Sequence, residues 1–239
     1  MDSSISYLAL NRQIGLAREM TTIANNIANL ATTGYRREGV VFAEFIQATP
    51  PGDSLSMADL RAHFASDLAG ELTLTNGQFD VAIVGEGFFT IQSGGETLLT
   101  RAGAFQRSAE GLLVTPDGAL VLDDGAAPIF VPPTSTSLEV ARDGTISVDG
   151  EPIARIGLVT APPVTLTRVG ATAFRAASGV TPVEFPDLRQ GALEGSNVDP
   201  VLEIARMIAV TRAYEQAQGL LEDDDERVRS TLSRLGQAV

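Results

Sequence analysis

The sequence has no cysteine and no lysine, because all 17 of its basic residues are arginine. Without thiols the chain forms no disulfide, no thiolate metal site and no thiol nucleophile. Without lysine it has no P-loop lysine, no Schiff base and no lysine general base. There is one histidine, His63, and no tryptophan, and a single histidine does not build a metal site. These absences exclude most of the common catalytic and metal chemistries.

The chain also lacks long apolar runs and an excess of positive charge. No stretch approaches the roughly 18 apolar residues of a membrane helix, so we expect no membrane insertion. The formal net charge of −13 argues against nucleic acid as a partner, since phosphate binding needs a basic surface. The first residues do not fit a cleaved secretory signal, because they contain Asp2 and no basic cluster before an apolar block.

Catalytic motifs are missing as well. The sequence contains no HExxH, GxSxG, Walker A or GxGxxG pattern, which predicts a protein that is not an enzyme, with no cofactor and no small-molecule substrate. The glycine pair in "GEGFF" has the wrong spacing for a dinucleotide site and indicates a turn or bulge. The acidic run Glu222 to Glu226 lacks the glycine and spacing of an EF-hand loop. It indicates a solvated helix face or a charge signal between subunits.

Glycine and proline divide the chain into parts. Of 23 glycines, 16 lie between Asn76 and Asn197, and no proline precedes Pro50. Both ends are therefore nearly free of helix breakers, whereas the middle is full of them. The sequence predicts an α+β fold with a long helix at each end and a mainly β centre. We expect an N-terminal helix in residues 1–33, a linker or extended segment in 34–75, the β domain in 76–197 and a C-terminal helix in 198–239.

Each terminal helix carries an apolar seam with the alternating three- and four-residue spacing of a coiled coil. The first helix is expected from about Ser4 to about Ala31, with Gly34 as its stop. In the last helix Asp199 is the predicted cap, Pro200 takes the first helical position, and Glu203 lies in the first turn. The seam residues are Leu16, Met20, Ile23, Ile27 and Leu30 in the first helix, and Met207, Val210, Tyr214, Ala217 and Leu221 in the last.

The central part shows the pattern of short strands joined by turns. Apolar runs such as "FDVAIVGEGFFTIQ" alternate with glycine breaks, and Asp-Gly pairs at Asp117, Asp124, Asp143 and Asp149 are hairpin signals. The last helix, at 1.5 Å per residue, would be roughly 54 Å long. Because that is too long to be buried in a domain of this size, the periodicity favours packing of the seams between molecules over packing into the chain's own core.

Three separate stretches resemble the bacterial flagellar rod and hook protein family. They occur in family order and cover both ends and the middle of the chain. They are "ANNIANLATTGYRRE", then "DVAIVGEGFFTIQ" followed by "LTRAGAFQRSAEGLLVTPDGALVL", and finally "GALEGSNVDPVLEIARMIAVTRAYE". The total length and the short link between Phe45 and Phe79 favour a proximal rod protein. A distal rod protein or a hook-type axial subunit is the alternative within the family, and "EDDDE" departs from the family's less charged stretch.

The resemblance implies an inner coiled-coil layer of terminal helices with a β domain outside it. It also implies export through the flagellar type III apparatus without a cleaved signal, and a structural place in the periplasmic rod of the basal body. The implied partners are other proximal and distal rod subunits. A peptidoglycan-binding module is the alternative from another class. It is disfavoured because the sequence has no tryptophan and only three tyrosines for stacking on sugars.

Three asparagines in the first helix need an explanation, because asparagine is a mediocre helix former. We expect Asn25, Asn26 and Asn29 to hydrogen-bond to adjacent subunits and fix their register, as a buried polar residue does in a coiled coil. The ends of an isolated subunit should then be poorly ordered. Arg36 and Arg37 are expected either to pair with acidic surfaces of neighbours or to form a solvated basic turn.

Overall fold

The computed structural model describes residues 2–49 and 53–236, and these form two compact units. The helical unit consists of residues 2–28, 38–49, 53–63 and 199–236. The β unit consists of residues 29–37 and 64–198. The chain therefore passes between the units more than once. This arrangement divides the segment 34–75, which the sequence analysis assigns to a linker, between the two units.

The helical unit is built from both ends of the chain. Within the described residues it contains the helices α1 (Asp2–Ala28) and α2 (Pro200–Gly236), which contact each other. The strands β1 (Glu38–Thr49) and β2 (Asp53–Ala65) pair in a two-stranded sheet. The 37 residues of α2 give a length of about 55 Å. The prediction of helices at the N-terminus and in the C-terminal region is confirmed, although α1 ends three residues earlier than expected.

The predicted start of α2 is also confirmed. The Asp199 carboxylate accepts hydrogen bonds from the backbone N–H groups of Val201 at 2.9 Å and Leu202 at 3.0 Å. These groups have no partner inside the helix, so a side-chain oxygen at this position satisfies them. Pro200 follows at the first helical position, where its missing N–H costs nothing.

Asp199→Ala should therefore destabilise the start of α2 by about 1 kcal/mol, within the usual range of 0.5–2 kcal/mol for a lost cap. Thermal unfolding followed by circular dichroism at the helical minimum measures this change. Asp199→Asn is the matched control, because its amide oxygen still accepts both hydrogen bonds. Equal destabilisation by the two substitutions would contradict the capping role.

The β unit consists of short strands, all of whose assigned pairings are antiparallel. The strands are β3 (Leu72–Leu74), β4 (Val81–Ile83), β5 (Phe88–Ser93), β6 (Glu96–Thr100), β7 (Gln106–Arg107), β8 (Leu113–Val114), β9 (Leu120–Val121), β10 (Leu138–Val140), β11 (Thr145–Val148), β12 (Glu151–Arg155), β13 (Leu158–Thr160), β14 (Leu166–Val169), β15 (Ala173–Ala176), β16 (Thr181–Pro182), β17 (Leu188–Gln190) and β18 (Ala192–Glu194). One sheet has the order β14-β15-β6-β5-β9-β8-β7, with β13 pairing β5 and β16 pairing β13. Another has the order β10-β11-β12, and two strand pairs, β17-β4 and β18-β3, complete the unit.

The Asp-Gly pairs lie in turns, as predicted. Those at Asp117, Asp143 and Asp149 separate the paired strands β8 and β9, β10 and β11, and β11 and β12. The fourth, at Asp124, lies in the turn closed by the bridge between Leu122 and Pro128. At the Asp149 turn both central residues have positive φ, 50° for Asp149 and 87° for Gly150. That geometry matches the twist of the flanking strands.

Apolar side chains from both sheets form the core of the β unit. Phe89, Val121 and Ile146 are fully buried, and the rings of Phe89 and Phe105 meet edge to face at 5.1 Å. Each fully buried large apolar side chain contributes about 1.5–3 kcal/mol, so this core accounts for the stability of the β unit. Of the helices in residues 2–49 and 53–236, neither combines the length and the apolar character of a membrane span.

Candidate functional site

Across residues 2–49 and 53–236, no group of three or more His, Cys, Asp or Glu side chains is placed to hold a metal ion. The Gly85 and Gly87 pair of "GEGFF" has positive φ at both residues, as expected for a turn. The functional candidates are therefore the faces of the helices and the buried polar networks.

The predicted seam residues lie on the less exposed side of each helix. Ile23, Val210 and Ala217 are buried in the single chain. The other seam residues are half-buried: Leu16, Met20, Ile27, Leu30, Met207, Tyr214 and Leu221. Leu30 lies beyond the end of α1, in the β unit. Since one chain already buries part of each seam, the contact of these residues with neighbouring subunits stays a prediction.

The three asparagines differ in their surroundings. Asn25 is exposed, Asn29 is half-buried, and Asn26 is fully buried. The Asn26 amide nitrogen donates to the backbone oxygen of Glu38 at 2.9 Å and to Oε2 of Glu203 at 3.1 Å. Its amide oxygen accepts from the backbone N–H of Glu38 at 2.9 Å. These bonds place the Asn26 amide inside its own chain. Hydrogen bonding of the three asparagines to adjacent subunits stays a prediction.

Glu203 is the partner that the sequence analysis missed. Its side chain is fully buried, and NH1 of Arg206 lies 3.9 Å from its carboxylate. A buried carboxylate is costly unless it accepts hydrogen bonds, and the N–H of Asn26 supplies one of them. The sequence did contain a signal for this contact. Asn26 follows the seam residue Ile23 by three residues and therefore lies on the same face of α1.

A second buried network centres on Glu194, in the strand β18 of the β unit. The Glu194 carboxylate lies 3.0 Å from NH2 of Arg36 and 2.8 Å from Nε of Arg101. Its exposed fraction and that of Arg101 are both 1%. The carboxylate oxygen that faces Arg36, Oε1, also accepts a hydrogen bond from the N–H of Gly70 at 3.1 Å. One carboxylate therefore joins two guanidinium groups from distant parts of the sequence.

Backbone carbonyls accept further hydrogen bonds from the terminal nitrogens of the two arginines, whereas the buried Nε of Arg36 has no hydrogen-bond partner among the described residues. Arg101 donates to the oxygens of Gly87 at 2.6 Å and Gly85 at 2.8 Å. Arg36 donates to the oxygen of Asp67 at 2.8 Å and to that of Leu68. Burial lowers the pKa of both guanidinium groups, and the charge of Glu194 opposes that shift by raising the pKa. The carbonyls and the carboxylate together hold two positive charges in the interior.

The expectation for Arg36 is therefore wrong. This residue is neither solvated nor turned toward a neighbour, because it is 5% exposed and pairs with Glu194. The reason is the chain path: Gly34 has a φ of +68° and its N–H donates to the backbone oxygen of Glu194 at 2.7 Å. This turn brings the segment that follows α1 alongside β18, where the carboxylate lies.

Asn197 makes a further connection between the same two segments. Its side-chain oxygen accepts from the N–H of Arg37 at 2.5 Å, and its amide nitrogen donates to the oxygen of Leu68 at 2.6 Å. The backbone oxygen of Arg36 accepts a hydrogen bond from NH2 of Arg168 at 2.5 Å. The Arg168 guanidinium also lies over the ring of Tyr35, 4.6 Å from its centroid, a favourable cation–π distance.

The family-like stretches of the sequence thus meet in one network of the β unit. "TTGYRR" supplies Arg36, "GEGFF" supplies the carbonyls of Gly85 and Gly87, "LTRAG" supplies Arg101, and "GALEGSN" supplies Glu194. Each stretch supplies either the Glu194 carboxylate, an arginine that binds it, or a carbonyl that binds one of these arginines. This network explains why these short polar and glycine-rich patterns occur together in one chain.

Comparison with known proteins agrees with these observations. Residues 7–36 match the family "Flagella basal body rod protein". Residues 82–148 match "Flagellar hook protein FlgE/F/G D1 domain". Residues 189–235 match "Flagellar basal body rod FlgEFG protein C-terminal". The three matched segments overlap the three stretches quoted in the sequence analysis.

Curated relatives extend the similarity to nearly the full chain. The flagellar basal-body rod protein FlgF of Caulobacter vibrioides is 36% identical, with 99% of each chain covered. FlgF of Mesorhizobium japonicum is 34% identical over 96% of this chain and 97% of the relative. FlgG of Agrobacterium fabrum is 32% identical over 87% of this chain and 90% of the relative.

These relatives confirm the prediction of a structural, non-enzymatic rod subunit that is located in the flagellar basal body and assembles with other rod components. The higher identity and coverage for FlgF than for FlgG make the distal alternative the less supported one. The chain belongs to the flagellar basal-body rod protein family, and among these relatives it is most similar to FlgF.

Proposed function

We propose that this rod subunit polymerises through its two terminal helices in the proximal part of the rod, as part of the shaft that carries motor torque to the hook. Subunits that repeat one heterologous contact build an open helical assembly. A shaft of this kind needs helix faces that one chain leaves uncovered. The proposal therefore depends on what the helical unit exposes.

The start of α2 carries the observation that supports this function most directly. Val201, Ile204 and Ile208 are exposed by 76%, 51% and 49% in the single chain. Their spacing of three and four residues places them on one side of the helix. The buried residue Val210 belongs to a different side. The chain thus has an apolar helix face in addition to the one that its own helix pair uses.

The N-terminal helix has a smaller face of the same kind. Leu10 and Ile14, four residues apart, are exposed by 50% and 43%. Contiguous apolar surface of this kind is typical of an interaction site.

We name Val201, Ile204 and Ile208 the outer face of α2, and we propose that neighbouring rod subunits cover it. The predicted coiled-coil layer would then contain helices of several subunits.

The route to the assembly site belongs to the same proposal. We expect the chain to leave the cytoplasm through the flagellar type III export apparatus and to assemble in the periplasm. A proximal position is supported by the short link between Phe45 and Phe79 and by the similarity to FlgF proteins. Locating a labelled subunit along isolated basal bodies by electron microscopy tests this position, and a label beyond the proximal rod would contradict it.

Substituting aspartate for two apolar residues of the outer face tests whether this face is needed for rod assembly. In a strain whose own gene carries Ile204→Asp and Ile208→Asp, we expect at least a tenfold loss of rods, since each buried charge without a partner costs several kcal/mol. The isolated chain should still fold, because both positions are half-exposed in it. Counting rods in basal-body preparations and scoring swimming measure the effect.

Val164→Asp is the matched control for that experiment. Val164 is 93% exposed in the β unit, so it undergoes the same aliphatic-to-carboxylate change away from the helices. We expect normal rods in this variant. Rod numbers that stay at the wild-type level in the Ile204 and Ile208 variant would overturn the proposed use of the outer face.

A further inference from the structure

Asn26 and Glu203 form a buried polar contact between α1 and α2, with the amide nitrogen 3.1 Å from the carboxylate oxygen. The same Asn26 amide is bonded in two directions to the backbone of Glu38, where β1 begins. We infer that these three groups, the Asn26 amide, the Glu203 carboxylate and the Glu38 backbone, are a register lock inside the subunit. The lock sets how far α1 is shifted along α2 when the rod is built.

Apolar seams alone do not define this shift well. Leucine, isoleucine, valine and methionine side chains of similar volume accept a slip of one helical repeat with modest cost. A buried polar pair behaves differently, because a slip leaves both partners without hydrogen bonds in an apolar environment. A single buried asparagine is known to fix the register of coiled coils in this way. Here the pair combines an amide donor with a carboxylate acceptor.

The lock also fixes the direction in which the chain leaves the first helix. The N–H and C=O of Glu38 both bond to the Asn26 side chain, as a neighbouring strand would bond to them. The start of β1 is thereby tied to the face of α1 that carries Asn26 and contacts Glu203 of α2. The loss of Asn26 would release the two helices and the strand together. This inference concerns the interior of the helical unit, so it does not depend on the outer face of α2.

A charge exchange distinguishes a lock from a general contribution to stability. Asn26→Asp removes the donor and places two carboxylates against each other, so we expect swimming and rod number to fall at least tenfold. Glu203→Gln alone keeps an acceptor for Asn26 and should have an effect of about twofold or less. Asn26→Asp combined with Glu203→Gln restores a donor-acceptor pair. The hydrogen bond to the Glu38 carbonyl oxygen is not restored, because a carboxylate has no donor, so we expect this double variant to form more rods than Asn26→Asp but fewer than the wild type.

The chain contains a matched control in the exposed pair of Gln218 and Glu222. The Gln218 amide donates to the Glu222 carboxylate at 3.1 Å, the same distance as in the lock, but both side chains are exposed. Gln218→Glu should leave swimming unchanged. Immunoblots must show equal amounts of each variant. If Glu203→Gln does not rescue Asn26→Asp, or if Asn26→Asp forms normal rods, the register lock is refuted, whatever the Ile204 and Ile208 variant does.

Discussion

Glu194→Gln will lower the free energy of unfolding of the β unit by about 3–5 kcal/mol. The substitution keeps the volume of the side chain and removes the charge between Arg36 and Arg101. Both guanidinium groups then stay buried without a counter-charge, and their mutual repulsion is no longer offset. Urea unfolding of the full chain, followed by near-ultraviolet circular dichroism of the buried Tyr35, measures the loss.

The exposed ion pair between Glu96 and Arg175 provides the control. These side chains are 44% and 49% exposed, and exposed pairs contribute little because water and salt screen them. Glu96→Gln therefore removes the same charge from the same unit with a much smaller effect. If both substitutions shift the urea midpoint equally, burial is not the reason why Glu194 matters.

The large effect expected at Glu194 follows from the number of chain segments that form hydrogen bonds with it. Its side chain binds Arg36 and Arg101, and its side-chain and backbone oxygens accept the N–H groups of Gly70 and Gly34. Segments that come directly from α1 and lead directly to α2 are thus bonded within one unit.

Local patterns in the sequence were sufficient to predict the terminal helices and the hairpin turns, but not the pairing of β1 with β2 in the segment assigned to a linker. The cap at Asp199, the proline after it and the Asp-Gly turns depend on neighbouring residues only, and the structure has them where the spacing placed them. The end of α1 was misplaced because the helix stops at Ala28, whereas Gly34 makes its turn six residues later. Between them the chain forms turns held by the bond from Thr32 N–H to the oxygen of Asn29.

The buried networks were not predictable in the same way. Arg101 and Glu194 are 93 residues apart, and nothing local indicates which of 30 acidic residues pairs with a given arginine. The sequence drew attention to Asn26, but it did not separate this residue from Asn25 and Asn29. The placement of Glu203 opposite α1 shows that Asn26 faces a buried acceptor.

Gly34→Ala should strongly lower the free energy of unfolding, because Gly34 lies between the end of α1 and Arg36, which binds the buried Glu194. The φ of Gly34 is +68°, and an added Cβ would lie 2.3 Å from the nitrogen of Ala102 and 2.5 Å from the carbonyl carbon of Arg101. Both contacts are with backbone, which no side-chain rotation relieves. We expect a loss of about 3–5 kcal/mol, from the unfavourable φ and from the overlap together. Calorimetric unfolding of the full chain and swimming assays measure the effect.

Gly94→Ala separates the two contributions. Gly94 has a similar φ of +59°, but nothing lies within 4 Å of the position that its Cβ would occupy. It should therefore lose only about 1–2 kcal/mol, the cost of the left-handed conformation, and the cells should still swim. The additional loss at Gly34 measures how closely the chain leaving α1 must approach the Arg101 segment. If Gly34→Ala and Gly94→Ala cost the same, this close approach does not exist in solution, and the Arg36 to Glu194 contact that depends on it is wrong.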